Sequence, residues 1–307
     1  MTKINYLYIS LLFFIFSYVS ADELISPTCE PLQTSEVVKD NTVLHGDGLL
    51  WRVRQNGKDI AYLYGTIHVS DPVITQLPEV VSLSLASSKH FAMEAIPDAG
   101  AMLDFSKMMF FSGEERLSDF VDETIMERTR NILSQYMLSG DSIDMMKPWS
   151  AFLTMNYPPD SGLPLDLVLL SVATEQGSQL YGLETLQEQG EIFDKLPLEQ
   201  QARLLIDSVC HYNVIEKDFG VMKALYLERN LSGLYNHVYS YSTMGKPLYK
   251  KLMNRLIFQR NEKMVQRMKP LLEKIDAFIA VGAMHLPGEK GVLALLEKQG
   301  YEVTAIY

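Results

Sequence analysis

Two histidines stand at matching places in distant parts of the chain. Ile60-Ala61-Tyr62-Leu63-Tyr64 runs into Gly65-Thr66-Ile67-His68, and Phe278-Ile279-Ala280-Val281 runs into Gly282-Ala283-Met284-His285. In each, an apolar strand-like run ends in G-x-x-H. With 18 Gly and 6 His, chance supplies about 0.35 such spacings, so two of them, each behind an apolar run, form a pattern. Gly lets a buried strand turn sharply into a polar loop, and three residues on the imidazole stands outside the carboxyl edge of the sheet. That edge is where open α/β sheets hold ligands. Two such strands side by side point two imidazoles across one crevice, which suits a divalent metal completed by carboxylates. The alternative is a pair of loop histidines that satisfy backbone carbonyls.

Three carboxylates compete to complete such a site. Glu94 ends Phe91-Ala92-Met93, and Glu184 ends Leu180-Tyr181-Gly182-Leu183, so both are expected at strand termini. Asp71 follows His68 by three residues and precedes Pro72, a context equally suited to capping a turn or helix. A carboxylate not bound to the ion can act as a general base. Other chemistries lack their signatures. There is no H-E-x-x-H, no G-x-S-x-G, no Walker A loop and no G-x-G-x-x-G, since Gly46-Asp47-Gly48 lacks the third Gly. Cys29 and Cys210, the two cysteines, lack the setting of a nucleophile.

The elements that must position these residues are legible in outline. Leu49 to Gln55 and Ile60 to Tyr64 read as strands joined at Asn56-Gly57, a dipeptide suited to a tight hairpin because both positions tolerate φ > 0. Helical periodicity covers about 77–88, followed by a strand from His90 to Glu94. The stretch 98–160 reads as helices broken at Gly113, Gly140 and Pro158-Pro159. A helix from Leu165 to Ala173 and a strand from Gln179 to Leu183 come next. Leu186 to Lys274 is helical nearly throughout, and the chain closes with strand Ala277 to Val281, helix Gly291 to Gln299 and strand Glu302 to Ile306. Strands at both ends around a large helical insertion predict an α/β fold, with α+β as the alternative, in which a mixed central sheet is assembled from distant segments.

The 307 residues are 47% hydrophobic and 21% charged, ordinary globular composition. A net charge of -11 offers no electrostatic footprint for nucleic acid or anionic lipid. Lys3, the apolar run Leu7 to Val19 and the small-residue ending Val19-Ser20-Ala21 form the three parts of a secretory signal peptide, read as cleaved after Ala21. Residues 22–44 read as a linker and 45–307 as one domain. No later run reaches 18 continuous apolar residues, so no stable membrane insertion is expected after cleavage. In an oxidising compartment Cys29 and Cys210 are able to pair, but spacing alone does not say whether they do.

Leu50-Trp51-Arg52 followed by Tyr62-Leu63-Tyr64-Gly65-Thr66-Ile67-His68-Val69-Ser70-Asp71-Pro72 resembles the opening of the TraB/GumN family, which includes the Tiki-type metalloproteases. The resemblance continues through Glu94, Pro148-Trp149, Leu165-Asp166, Gly182-Leu183-Glu184-Thr185, Glu188-Gln189 and Arg260-Asn261, to the block from Val281 through Gly288 and on to Val303. It covers about residues 47–307 and implies an erythromycin-esterase/ChaN-like fold, a mixed sheet with helices around it. It further implies a secreted, periplasmic metal-dependent hydrolase acting on peptides or proteins, with His68, His285 and Glu94 holding zinc, manganese or cobalt. Glu184 or Glu94 would act as base, Arg260 would steady a carbonyl oxyanion or peptide carboxylate, and Asn261 and Asp71 would line the pocket. Without the resemblance, Arg260, in line with Met264 and Met268, reads as a helix-surface residue. Relatives also suggest two other outcomes, a peptide-sequestering protein without turnover and a haem- or metal-handling protein. Met102, Met108, Met109, Phe110 and Phe111, and likewise Tyr235, Tyr239 and Tyr241, read as core or helix-packing surface, with a peptide groove as the sharper alternative.

Overall fold

A computed structural model describes Cys29 and residues 43–159, 162–241 and 246–307. The expected signal peptide, 1–21, and the linker 22–44 apart from Cys29 and its last two residues lie outside the described residues.

The sheet begins with β1 (Leu50–Gln55) and β2 (Lys58–Thr66), paired antiparallel as a hairpin. Asn56 and Gly57 between them have φ of 52° and 75°, the left-handed values that their residue types tolerate. β3 (His90–Ala95), β4 (Gln179–Glu184), β5 (Ala277–Gly282) and β6 (Glu302–Ala305) complete six strands in the order β4-β3-β5-β2-β1-β6. β4, β3, β5 and β2 run parallel, while β1 is antiparallel to both β2 and β6. The sheet is therefore mixed, as expected. The inner parallel strand is the most apolar: every residue of β5 is buried, as a strand covered on both faces requires.

Helices fill the crossovers. α1 (Pro72–Thr75) and α2 (Glu79–Ala86) link β2 to β3. α3 (Ala99–Met108), α4 (Glu123–Ser134), α5 (Asp141–Asp144), α6 (Pro148–Met155) and α7 (Leu165–Glu175) lie between β3 and β4. Between β4 and β5 come α8 (Leu186–Asp194), α9 (Leu198–Cys210), α10 (Tyr212–Leu227), α11 (Leu231–Tyr239), α12 (Pro247–Met253) and α13 (Arg260–Leu272), and α14 (Val292–Glu297) precedes β6. The two insertions meet: α3 packs on α8, and α6 on α9. Trp149, fully buried behind the helix-starting Pro148, stacks on Phe193 of α8 and donates its indole N–H to Asp194 at 3.0 Å. The Pro148-Trp149 pair thus joins the insertions rather than entering the sheet edge. Among the described residues, no helix is long and apolar enough to cross a membrane.

Cys29 is joined to Cys210, the last residue of α9, by a disulfide spanning 181 positions, with Cα atoms 5.5 Å apart. Arg128 lies beside it and donates to the Val209 carbonyl at 3.1 Å. The aromatic and Met clusters belong largely to the core: Met109 and Tyr241 are buried, and Met102, Met108, Phe110, Tyr235 and Tyr239 pack against it.

Candidate metal centre at the carboxyl edge of the sheet

Because β4, β3, β5 and β2 are parallel neighbours, their carboxyl ends emerge along one edge. Glu184 closes β4, Glu94 is the penultimate residue of β3, and the two G-x-x-H turns follow β5 and β2. Thr66 pairs with Gly282, so the two turns leave the sheet from adjacent strands. A Cβ on Gly65 would lie 2.8 Å from Leu286 Cδ1 and 3.1 Å from Ala283 Cα. That glycine lets the second turn lie directly against the first strand, which is a close-approach role rather than a special φ.

Each histidine is held through Nδ1. His68 Nδ1 lies 3.1 Å from Asp166 Oδ2, and Asp166 Oδ1 accepts from the Thr66 hydroxyl at 2.5 Å. His285 Nδ1 lies 2.5 Å from Asn261 Oδ1, whose amide nitrogen donates to the Lys290 carbonyl at 2.8 Å. His285 is fully buried, and its Nε2 has no hydrogen-bond partner; Glu94 Oε1, at 3.6 Å, is beyond bonding distance. Burial, and next to it the Arg260 cation, hold the His285 imidazole well below its ordinary pKa.

Arg260 sits between the glutamates. Its Nη2 reaches Glu94 Oε2 at 2.5 Å and Glu184 Oε2 at 2.7 Å, its Nε donates to Glu184 at 2.8 Å, and its Nη1 donates to the Leu256 carbonyl at 3.1 Å. It is 3% exposed, on one line with the buried Met264 and Met268, so the helix face carrying it looks inward. The surface location that spacing alone suggests is thereby corrected. A π-helical turn, Asn254–Gln259, immediately precedes it, a local geometry frequent at functional sites. Glu94 also accepts from the Gly282 backbone N–H at 2.7 Å and from Gln189 at 3.2 Å. Burial pushes the Glu94 carboxyl up, against the pull of Arg260. Burial likewise works to raise Asp166, but the hydrogen bonds from His68 and Thr66 outweigh it and hold that carboxyl below its usual value. Two buried carboxylates, Glu94 and Glu184, thus share one buried guanidinium, while a third, Asp166, is buried beside His68. This is an excess of negative charge that a bound cation relieves.

Asp71 stands apart from this network. It caps α1, accepting from the Val73 N–H at 2.9 Å, and pairs with Lys223 of α10. Sequence reasoning assigned no role to Asp166, Gln189 or Thr66. An acid in the first turn of a helix, where Asp166 sits, is commonplace because it favours the helix dipole, so its type and place gave little signal. Gln189 is set by the capping box of Thr185 and Glu188, whose carboxylate also grips Arg267 and Lys263 of α13 and so ties α8 to the helix that carries Arg260.

Among the described residues, no three His, Cys, Asp or Glu side chains converge closely enough to ligate an ion as they stand. The donor chemistry nevertheless fits one. An unpartnered imidazole nitrogen is buried beside a carboxylate, and both histidines carry the Nδ1 anchor that metal-bound histidines characteristically use.

A model of the TraB/PrgY/gumN family matches residues 49–305. Over 84% of its length the chain is 23% identical to Metalloprotease TIKI2 of Danio rerio and 21% identical to Metalloprotease TIKI1 of the same species. A shorter segment, 17% of the chain, is 43% identical to a Metalloprotease TIKI homolog of Nematostella vectensis and covers 12% of it. The chain spans 60% of the first of these relatives and 63% of the second. No solved structure matches it.

Proposed function

The chain belongs to the TraB/PrgY/gumN family, and from that premise we propose that it is a secreted, metal-dependent hydrolase of peptide bonds. The observation that carries the proposal is the pair of Nδ1-anchored histidines on adjacent parallel strands, one with a buried and unpartnered Nε2. His68, His285 and Glu94 are the residues that would hold a divalent ion such as zinc, manganese or cobalt, whose Lewis acidity polarises a carbonyl and acidifies water. The remaining groups have separate tasks. Glu184, bound to the same guanidinium as Glu94, is the carboxylate left to accept a proton. Arg260 keeps two like-charged carboxylates together at the sheet edge, and its engaged donors suit it to that task more than to clamping a substrate carbonyl. The relatives named metalloproteases favour a peptide as substrate. A signal peptide ending at Ala21, together with the disulfide, suits an oxidising compartment such as the periplasm.

Elemental mass spectrometry after loading with manganese, zinc and cobalt in turn tests the reading, alongside cleavage of a peptide library. Near-stoichiometric metal and cleavage are expected, both lost in a folded His68→Ala/His285→Ala variant. Absence of metal under every loading would overturn the hydrolase and leave a peptide-binding protein.

A further inference from the structure

We infer that Asn261 and Asp166 are positioning residues that fix the tautomers of His285 and His68, leaving Nε2 of each ring as the free lone-pair donor before any ion is present. The purpose of this device rests on the divalent-metal reading above, whereas its evidence is the hydrogen-bond geometry alone.

A neutral imidazole carries its proton on one nitrogen, and the hydrogen bond made by that nitrogen decides which. Asn261 is the more constrained case. Its amide nitrogen donates to the Lys290 carbonyl at 2.8 Å, which only an NH2 group can do, so its Oδ1 is the atom turned to His285 Nδ1 at 2.5 Å. A carbonyl oxygen only accepts, so Nδ1 must bear the hydrogen and Nε2 the lone pair. The other tautomer sets two lone pairs against each other at 2.5 Å. Turning the amide over to accommodate it faces the NH2 away from Lys290 and sets two carbonyl oxygens together. Asp166 imposes the same choice on His68, because an ionised carboxylate has no hydrogen to give: one oxygen takes Nδ1–H and the other the Thr66 hydroxyl. Thr66 is the last residue of β2 and pairs with Gly282, so the strand end that launches one motif also steadies the support of its histidine.

The supports come from different helices, Asp166 from the first turn of α7 and Asn261 from that of α13. They also differ in charge. Removing Asp166 deletes a buried anion as well as an acceptor, whereas replacing Asn261 by leucine removes the acceptor, and the amide that donates to Lys290, at constant charge and with the same branching and number of heavy atoms. Asn261 is therefore the informative position.

The test uses the full chain, metal-free and labelled with 15N-histidine, at mildly alkaline pH where free imidazole is neutral. Long-range 1H–15N spectra report the tautomer of each ring, and His285 is assigned by the signal lost in His285→Gln. Wild type is expected to show His285 protonated at Nδ1 and bare at Nε2. Asn261→Asp, which retains an acceptor, keeps that pattern, and Asn261→Leu, with folding checked by circular dichroism, shifts to a mixture or to Nε2–H. Cobalt affinity, read from its visible absorption, falls about 10–100-fold in Asn261→Leu and less in Asn261→Asp. Wild-type His285 protonated at Nε2 refutes the inference, and that spectrum decides even if the leucine variant does not fold. A folded Asn261→Leu that keeps Nδ1–H refutes it too. The expected tautomers without any cobalt binding would sink the metal reading and leave the positioning role standing.

Discussion

Replacing Arg260 by methionine, which fills similar length without charge, exposes the central electrostatic fact of the sheet edge. Nη2 of Arg260 touches Glu94 at 2.5 Å and Glu184 at 2.7 Å, and all three side chains are at least 95% buried. Two oxygens bound to one nitrogen are about 5 Å apart at most, where two unit charges repel by about 3 kcal/mol at an effective dielectric of 20. Arg260 masks that repulsion and donates to both carboxylates; without it, each is a buried charge lacking its cationic partner, left with neutral donors from Gly282 and Gln189 alone. The combined cost is about 3–5 kcal/mol, a fall in Tm of roughly 5–10 °C for a chain of this size. Thermal melts of wild type and Arg260→Met in chelator measure it without any contribution from bound metal. The double variant Arg260→Met/Glu184→Gln removes one of the repelling charges and regains about half the loss or more, a non-additivity that only a direct coupling produces. A single variant melting within about 2 °C of wild type, roughly what 1 kcal/mol produces, would refute the argument. So would a double variant less stable than the single one.

Two further outcomes follow from the same geometry. Gly65→Ala places a methyl 2.8 Å from Leu286 and 3.1 Å from Ala283, so it is expected to cost about 1–3 kcal/mol by overpacking and to weaken metal loading by displacing the second turn; an unchanged melt with unchanged loading contradicts the close-approach role. Breaking the Cys29–Cys210 link, which spans 181 positions, by Cys29→Ser/Cys210→Ser is expected to lower stability by about 2–4 kcal/mol, and urea unfolding of wild type with and without reductant checks it, since reductant leaves the double variant unaffected.

Some features of this protein are local consequences of residue type, and these were legible directly. Asn56-Gly57 makes a hairpin because both residues accept positive φ, and the short apolar runs ending in Glu94, Glu184, Gly65 and Gly282 become strands because apolar and aromatic stretches of that length suit a sheet, the inner ones being buried on both faces. The repeated G-x-x-H pattern places each histidine just past a strand end for the same reason. Arg260 was legible only as a member of a helical line with Met264 and Met268; which way that line faces depends on what lies opposite, and what lies opposite is a pair of glutamates 76 and 166 positions away. Asp166 was hidden by being ordinary, and its partner His68 is 98 positions distant.

By itself, then, the order of residues determined the strands, their polar ends, the hairpin and the two histidine turns, because each follows from backbone preferences and hydrophobic periodicity over a few neighbouring positions. Tertiary structure alone decided that β2 and β5 lie side by side, that Arg260 faces inward between Glu94 and Glu184, and that Asn261 and Asp166 hold the two imidazoles by Nδ1. Those are pairings across large loops, made when strands and helices bury their faces together. A hydrogen bond or ion pair acts over a few ångströms in space, while the side-chain pairs just named stand from 24 to 166 positions apart along the chain.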